Sequence, residues 1–219
     1  GATLTGDESA LLPAALQAWQ ASITHRRARG RLLEDIHEVA ATAPRVGRAA
    51  AELCRLAFAL GRADDLKALA RLALEAALQG VGAGRGIVLL PAHVGDLAHA
   101  PTVAALVPHA SVPDPWPIGG TPAGVAAAVI AADEAILAAA APEATRSPAD
   151  PAGTISAPIR VGGRAVGLLH LEVTSPDRGC SPDDLEFVMA VCDALGVALE
   201  NFSTREALST KLANTADEN

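Results

Sequence analysis

The stretch Ile155-Ser-Ala-Pro-Ile-Arg-Val161, Gly162-Gly163, Arg164-Ala-Val-Gly-Leu-Leu-His-Leu-Glu-Val173 decides the fold. Two apolar runs flank a pair of glycines, and glycine supplies the positive φ that a two-residue hairpin turn requires. The reading is an antiparallel hairpin. Alternation along its second strand puts Val166, Leu168 and His170 on one face and Gly167, Leu169 and Leu171 on the other. Downstream, Ser181-Pro-Asp-Asp184 offers an N-cap, a first-turn proline and two carboxylates at the positive end of a helix dipole. The helix that follows carries Leu185, Val188, Cys192, Leu195, Leu199 and Phe202 at three- and four-residue spacing, which makes one apolar face. It is expected to run toward Lys211 as an exposed rod, with the tail from Ala213 frayed.

Working outward, Thr121-Pro122 caps a short helix to about Ala131, and Glu134–Ala139 is a candidate strand between that helix and the Pro- and Ser-rich loop 141–153. Pro108, Pro113, Pro115 and Pro117 make the segment around Trp116 a loop. Gly84-Arg-Gly-Ile-Val-Leu-Leu90 reads as a buried strand, followed by a turn at Gly95-Asp96 and a second strand over Leu97–Val107, which Pro101 confines to an edge or a bulge. Before them, Asp64 and Asp65 start a helix whose face is Leu66, Leu69, Ala70, Ala73, Ala76 and Ala77. Further upstream, Leu32, Ile36, Val39, Ala43, Val46, Ala50, Leu53, Ala57 and Leu60 repeat at four and three, a heptad seam interrupted by Pro44. The seam fits either a helix packed on its own domain or a dimer contact. Ala10–Arg29 is helical by pattern. Together these elements predict an α+β fold: an antiparallel sheet with helices on one face, extra N-terminal helices, and the irregular middle Pro108–Gly153 over the other face or around a cavity.

Composition narrows the function. The 219 residues suffice for one domain with a helical appendage. Aromatics are 2%, tyrosine is absent and the net charge is −8, which argues against direct nucleic-acid binding and against anionic membranes. Three cysteines without a CxxC fit neither a disulfide scaffold nor a zinc ribbon and suit a reducing, cytoplasmic setting. A chain that opens on Gly1-Ala2 without an initiator Met reads as a piece of a longer protein.

Residues carrying a resemblance are spread along the chain. Ala51-Glu-Leu-Cys-Arg-Leu-Ala-Phe-Ala-Leu60, Asp64-Asp-Leu-Lys-Ala-Leu69 and Gly84–Leu90 resemble the opening of a GAF domain. Ser156–Arg160, Gly162–Leu171 and Ser181-Pro-Asp-Asp-Leu-Glu-Phe187 are similar to that family's last hairpin and last helix, and Thr121–Leu137 to its helix-then-strand element. The resemblance divides the chain into an N-terminal helical extension (1–45), a GAF-like sensor domain (46–204) and a C-terminal helix end with its tail (205–219). It implies a sheet of about six strands, of the GAF/PAS kind, between a helical dimer layer and a small-molecule pocket. A non-catalytic regulatory module of a bacterial signalling or transcription-regulating protein follows, a homodimer through coiled-coil helices. Output or forkhead-associated-type domains are its expected companions in a full-length chain. The alternatives are a ligand-free dimerisation scaffold, or a thiol-based redox sensor or enzyme using Cys180.

No motif names a cofactor. Bilin-binding relatives carry Cys-His, whereas Cys180 precedes Ser181; the lysines Lys67 and Lys211 sit outside the segments where cyclic-nucleotide binders place theirs; and no haem or metal motif is present. Gly80, Gly82, Gly84 and Gly86 match neither phosphate-binding glycine pattern. His93, Asp96 and His99 lack a fourth ligand and read as solvated loop residues. Cys54 and Cys192 fall on apolar helix faces, which leaves Cys180 as the candidate reactive thiol. The ligand-pocket candidates are Trp116, Ile118, Thr121, Val125, Ser156, Leu168 and His170. The dimer-interface candidates are Ile36, Val39, Val46, Leu53, Leu60, Leu195 and Leu199.

Overall fold

The computed structural model describes residues 46–99, 101–116, 123–139, 151–174 and 179–217. Contacts divide the chain into two units, 1–51 and 52–219, and the elements below belong to the second apart from the first turns of α1 (Val46–Leu60). The proposed N-terminal helices before Val46 lie outside the described residues.

The sheet grows from the hairpin. β4 (Gly153–Val161) and β5 (Arg164–Val173) pair antiparallel from Gly153↔Val173 to Val161↔Arg164. Gly162 and Gly163 turn the tip with φ of 58° and 75°, a left-handed pair that a Cβ would strain. β5 pairs on its other side with β1 (Arg85–Pro91), β1 with β2 (Leu106–Val112), and β3 (Ile136–Ala139) with the outer edge of β4. The five strands run in the order β2-β1-β5-β4-β3, every pair antiparallel.

The expected second strand is displaced. Val94–Ala98 and Val103–Ala105 form short 3-10 turns, and β2 begins at Leu106 and continues through Pro108. Edge position explains the difference, because a proline on an outer strand forfeits no bond of a two-sided ladder. The β1–β2 register also shifts between Val88 and Leu89, pairing them with Ala110 and Pro108 and leaving His109 as the extra residue.

Both faces of the sheet are covered. On one face lie α2 (Leu66–Val81), capped by Asp65 accepting from the Ala68 amide at 2.6 Å, and α4 (Pro182–Asp217). The expected α2 face of Leu66, Leu69, Ala70, Ala73, Ala76 and Ala77 is buried throughout. α4 starts with a reciprocal capping box: the Asp184 amide donates to Ser181 Oγ at 3.2 Å and the Ser181 amide donates to Asp184 Oδ2 at 2.9 Å. It does not fray at Ala213 but continues to Asp217, since the segment after Val197 contains no Gly or Pro and is rich in helix formers such as Glu206, Ala207, Leu208 and Lys211. Over the opposite face lies α3 (Ala123–Ala132), whose Ala126 and Val129 pack on Leu168, with Leu89, Val125 and Ile136 around them.

Three interface candidates are corrected by this packing. Leu195 and Leu199 are fully buried in the chain's own core on the face of α4 that meets β4, so they have no surface to offer a second copy. The exposed apolar residues of α4 are Val197, Leu208 and Leu212 instead. Within α1, Leu60 is likewise buried in the core and has no surface to offer, while Leu53 is half-buried and Ala57 exposed. Ile36, Val39 and the side chain of Val46 lie outside the described residues.

The central pair tolerates little added volume. A Cβ on Gly167 of β5 would lie 2.5 Å from the Leu89 carbonyl oxygen and 2.6 Å from Leu90 Cδ2. Gly167→Ala is therefore expected to cost about 1–3 kcal/mol in urea denaturation, the usual range for overpacking.

Candidate functional site

β5 presents Leu168, His170 and Glu172 toward the face that α3 covers. Their ladder partners fix what stands beside them: Leu89, Ile87 and Arg85 on β1, and Pro158, Ser156 and Thr154 on β4. Leu168 makes the apolar end of this row beneath α3, and the polar end is a chain of contacts. Ser156 Oγ lies 2.8 Å from His170 Nδ1, within hydrogen-bond distance, and His170 Nε2 lies 3.6 Å from Glu172 Oε1, too long for a hydrogen bond. Arg85 Nη2 pairs with Glu172 Oε2 at 2.6 Å. The cluster is buried, with Ser156 and His170 each 1% exposed and Glu172 5%. Trp116 meets it from the loop after β2, its ring edge-on to His170 at 6.3 Å between centroids and 87° between planes. His170 Nε2, Trp116 Nε1 and Arg85 Nε are sealed from solvent without a hydrogen-bond partner among the described residues.

Burial holds His170 below the ordinary imidazole value, and the Glu172 carboxylate opposes this without reversing it. The ring is thus neutral at physiological pH. Ser156 Oγ, mid-strand and buried, is engaged with the His170 ring.

A two-point grip holds the cover over this group. Asp133, immediately after α3, takes a left-handed φ of 53°, and Arg160 of β4 binds both its carboxylate (Nε to Oδ1, 2.8 Å) and its carbonyl oxygen (Nη2, 2.5 Å).

Of the pocket candidates, Trp116, Ser156, His170, Leu168 and Val125 lie on or under this one sheet face, the first three touching in sequence and the last two in the apolar cluster. Ile118 and Thr121 lie outside the described residues. Glu172 and Arg85 were not singled out in the sequence. Glu172 was within reach, since the alternation that isolates Leu168 and His170 continues to it; Arg85 needed the β1–β5 register. His93, Asp96 and His99 sit exposed around a 3-10 turn. Cys180 is half-buried beside Gly153, Cys54 is half-buried, and the buried Cys192 has its thiol pKa pushed far up by desolvation. A cleft of about 330 Å³ lies elsewhere, between α2 and the β2 edge, lined by Lys67, Arg71, His109, Ser111 and Asp114 among others. It contains none of the pocket candidates.

Comparison with known proteins now identifies the class. A family model described as GAF domain matches residues 65–199, and the chain belongs to that family. No curated protein sequence is significantly similar to it. Among solved structures, residues 122 to 287 of a methyl-accepting chemotaxis protein superpose with a TM-score of 0.53 at 19% identity, over 69% of this chain and 99% of that one. The GAF domain of a phosphoenolpyruvate-protein phosphotransferase from Coxiella burnetii gives 0.54 at 15% identity, over 73% and 97%. That of an Acinetobacter phosphoenolpyruvate-protein phosphotransferase gives 0.51 at 12%, over 68% and 91%. At such identities the likeness is one of fold.

Two outcomes follow from the buried cluster. Ser156→Ala leaves His170 Nδ1 unpaired and should cost about 1–3 kcal/mol in equilibrium denaturation. The lowered His170 pKa also fixes a pH dependence. An unfolded chain takes up this proton near 6.5 and the folded one only below it, so stability present above that value is lost as pH falls through the folded pKa. His109, likewise lowered by burial, adds to the loss. Melting temperature should be level from about pH 8 to 7 and fall toward about pH 5, with part of the fall removed in His170→Gln.

Proposed function

We propose that this domain is a non-catalytic regulatory module of a bacterial signalling protein, which senses a small molecule at the sheet face beneath α3. The observation that carries the reading is the Trp116–His170–Ser156 group. Polar donors buried against one another and a neutral imidazole are costly features that a purely structural sheet face would replace with aliphatic side chains. The half-buried indole ring, placed edge-on to His170, is suited to respond to anything that enters beside it. No helix among the described residues is long and apolar enough to cross a membrane, and a cytoplasmic setting suits the free thiols of Cys54 and Cys192.

A second reading, dimerisation through the closing helix, is favoured by one specific observation: Leu208 and Leu212, one turn apart on the rod beyond the sheet, are 56% and 72% exposed. The two readings are compatible, and neither requires chemistry at Cys180.

Trp116 gives the test. In a Trp19→Phe background its emission reports on this face alone. A panel of metabolites screened by melting temperature should yield a compound that raises the midpoint, shifts Trp116 emission and loses affinity in Ser156→Ala. If no compound stabilises the domain while sedimentation shows a dimer that Leu208→Glu and Leu212→Glu dissociate, the scaffold reading replaces the sensor.

A further inference from the structure

The side chain and the backbone of Arg160 touch opposite layers of the domain. Toward α3, the guanidinium holds both the carboxylate and the carbonyl of Asp133. Asp133 is the one non-glycine residue with positive φ among those described, so the reversal that ends the cover helix is confined to a narrow conformational well. Toward α4, a Cβ built on Gly196 would lie 2.0 Å from the Arg160 carbonyl oxygen and 3.1 Å from its carbonyl carbon. The closing helix therefore rests on this peptide with no side chain between them. The β4–β5 register shifts at the same point, between Ile159 and Arg160, where a bulge loosens the regular ladder.

Other contacts across these layers are more compliant. Ala126 and Val129 meet Leu168 through apolar surfaces, which can slide. Cys192 Sγ stands 3.9 Å from the Ala157 carbonyl oxygen. Among the described residues, only Arg160 combines a directional, two-point hydrogen-bonded grip on one side with backbone-on-backbone contact on the other.

We propose that Arg160 is the mechanical link between the cover helix and the closing helix: movement of α3 over the sheet is carried by Asp133 to the Arg160 peptide and shifts α4 at Gly196. The inference rests on the sensor reading for its purpose, since α3 is the layer a ligand beneath it would displace. Its test needs no ligand.

Hydrogen exchange resolved by segment, on the whole chain, decides it. Asp133→Ala removes the carboxylate half of the grip from the far side of the sheet, leaving the backbone carbonyl, without touching α4. The expected result is roughly five-fold faster exchange of α4 amides around Val191–Leu199, the lower end of allosteric coupling factors, with α2 amides around Leu69–Ala77 unchanged. Arg160→Gln, which removes both points, should do at least as much, and the double variant should exchange no faster than Arg160→Gln. Val129→Ala loosens α3 through its apolar face and should speed exchange in α3 alone. By reciprocity, Gly196→Ala should speed exchange over Ala126–Ala132; if that variant does not fold, the other three decide. Unchanged α4 exchange in Asp133→Ala overturns the proposal, as does an equal rise in Val129→Ala, which would mark general loss of stability. Coupling together with a metabolite screen that yields no stabilising compound would remove the sensor reading and leave the link, whereas a compound found there with α4 uncoupled would remove the link alone.

Discussion

β5 is buried from Ala165 to Val173 without interruption, and a strand in that position has to be covered on both sides. The requirement organises the domain. Period-two alternation sends Leu169, Leu171 and Val173 toward α2 and α4, and Leu168, His170 and Glu172 toward α3. The neighbouring strands inherit the division through their register, so β1 contributes Ile87 to the one side and Val88 to the other. A slip of one residue in either ladder would send His170 into an aliphatic layer and Leu171 under the cover helix. The glycine pair at the tip of the β4–β5 hairpin fixes that register, which is why two residues without side chains specify where the polar group stands.

The polar group runs against the rest of the sheet. An imidazole, a hydroxyl and a carboxylate sit among leucines and isoleucines, and their desolvation is offset only in part by the Ser156 contact and the Arg85 pair. The arrangement keeps His170 neutral and held in one orientation by Ser156. It also places the one ionised pair of the row, Arg85 with Glu172, at the end of the strands away from α3, where Arg85 reaches solvent. The electrostatic asymmetry along the row is therefore built into the order of residues on β5.

Much of this was legible in the sequence for physical reasons that can be named. The hairpin, α2 and the start of α4 rest on local signals: positive-φ glycines, an Asp cap, and a Ser-Pro-Asp-Asp box before a three-four repeat. Each was read to within a few residues. His170, Ser156 and Trp116 are pocket candidates by sequence, His170 through strand parity and Trp116 through its loop, and the structure places the three side by side under one sheet face. What failed was non-local. Pro108 reads as a breaker in the sequence because its edge position depends on which strand pairs beside it. Leu195 and Leu199 read equally well as a dimer surface because an apolar stripe does not say whether a sheet or another chain covers it. Arg85 and the Arg160–Asp133 grip depend on register and on where a helix ends, and neither leaves a pattern along the chain.

The length of α4 has a consequence of its own. The helix has 36 residues, about 54 Å at 1.5 Å per residue, and among its described side chains the last fully buried one is Leu199. The helix beyond Gly196 is a lever of about 30 Å whose fulcrum is that glycine, so a tilt of about 5° there moves the Asp217 end by about 3 Å. A displacement too small to disturb the packing of the sheet becomes, at the far end, comparable to the helix shifts by which proteins exchange one set of neighbours for another.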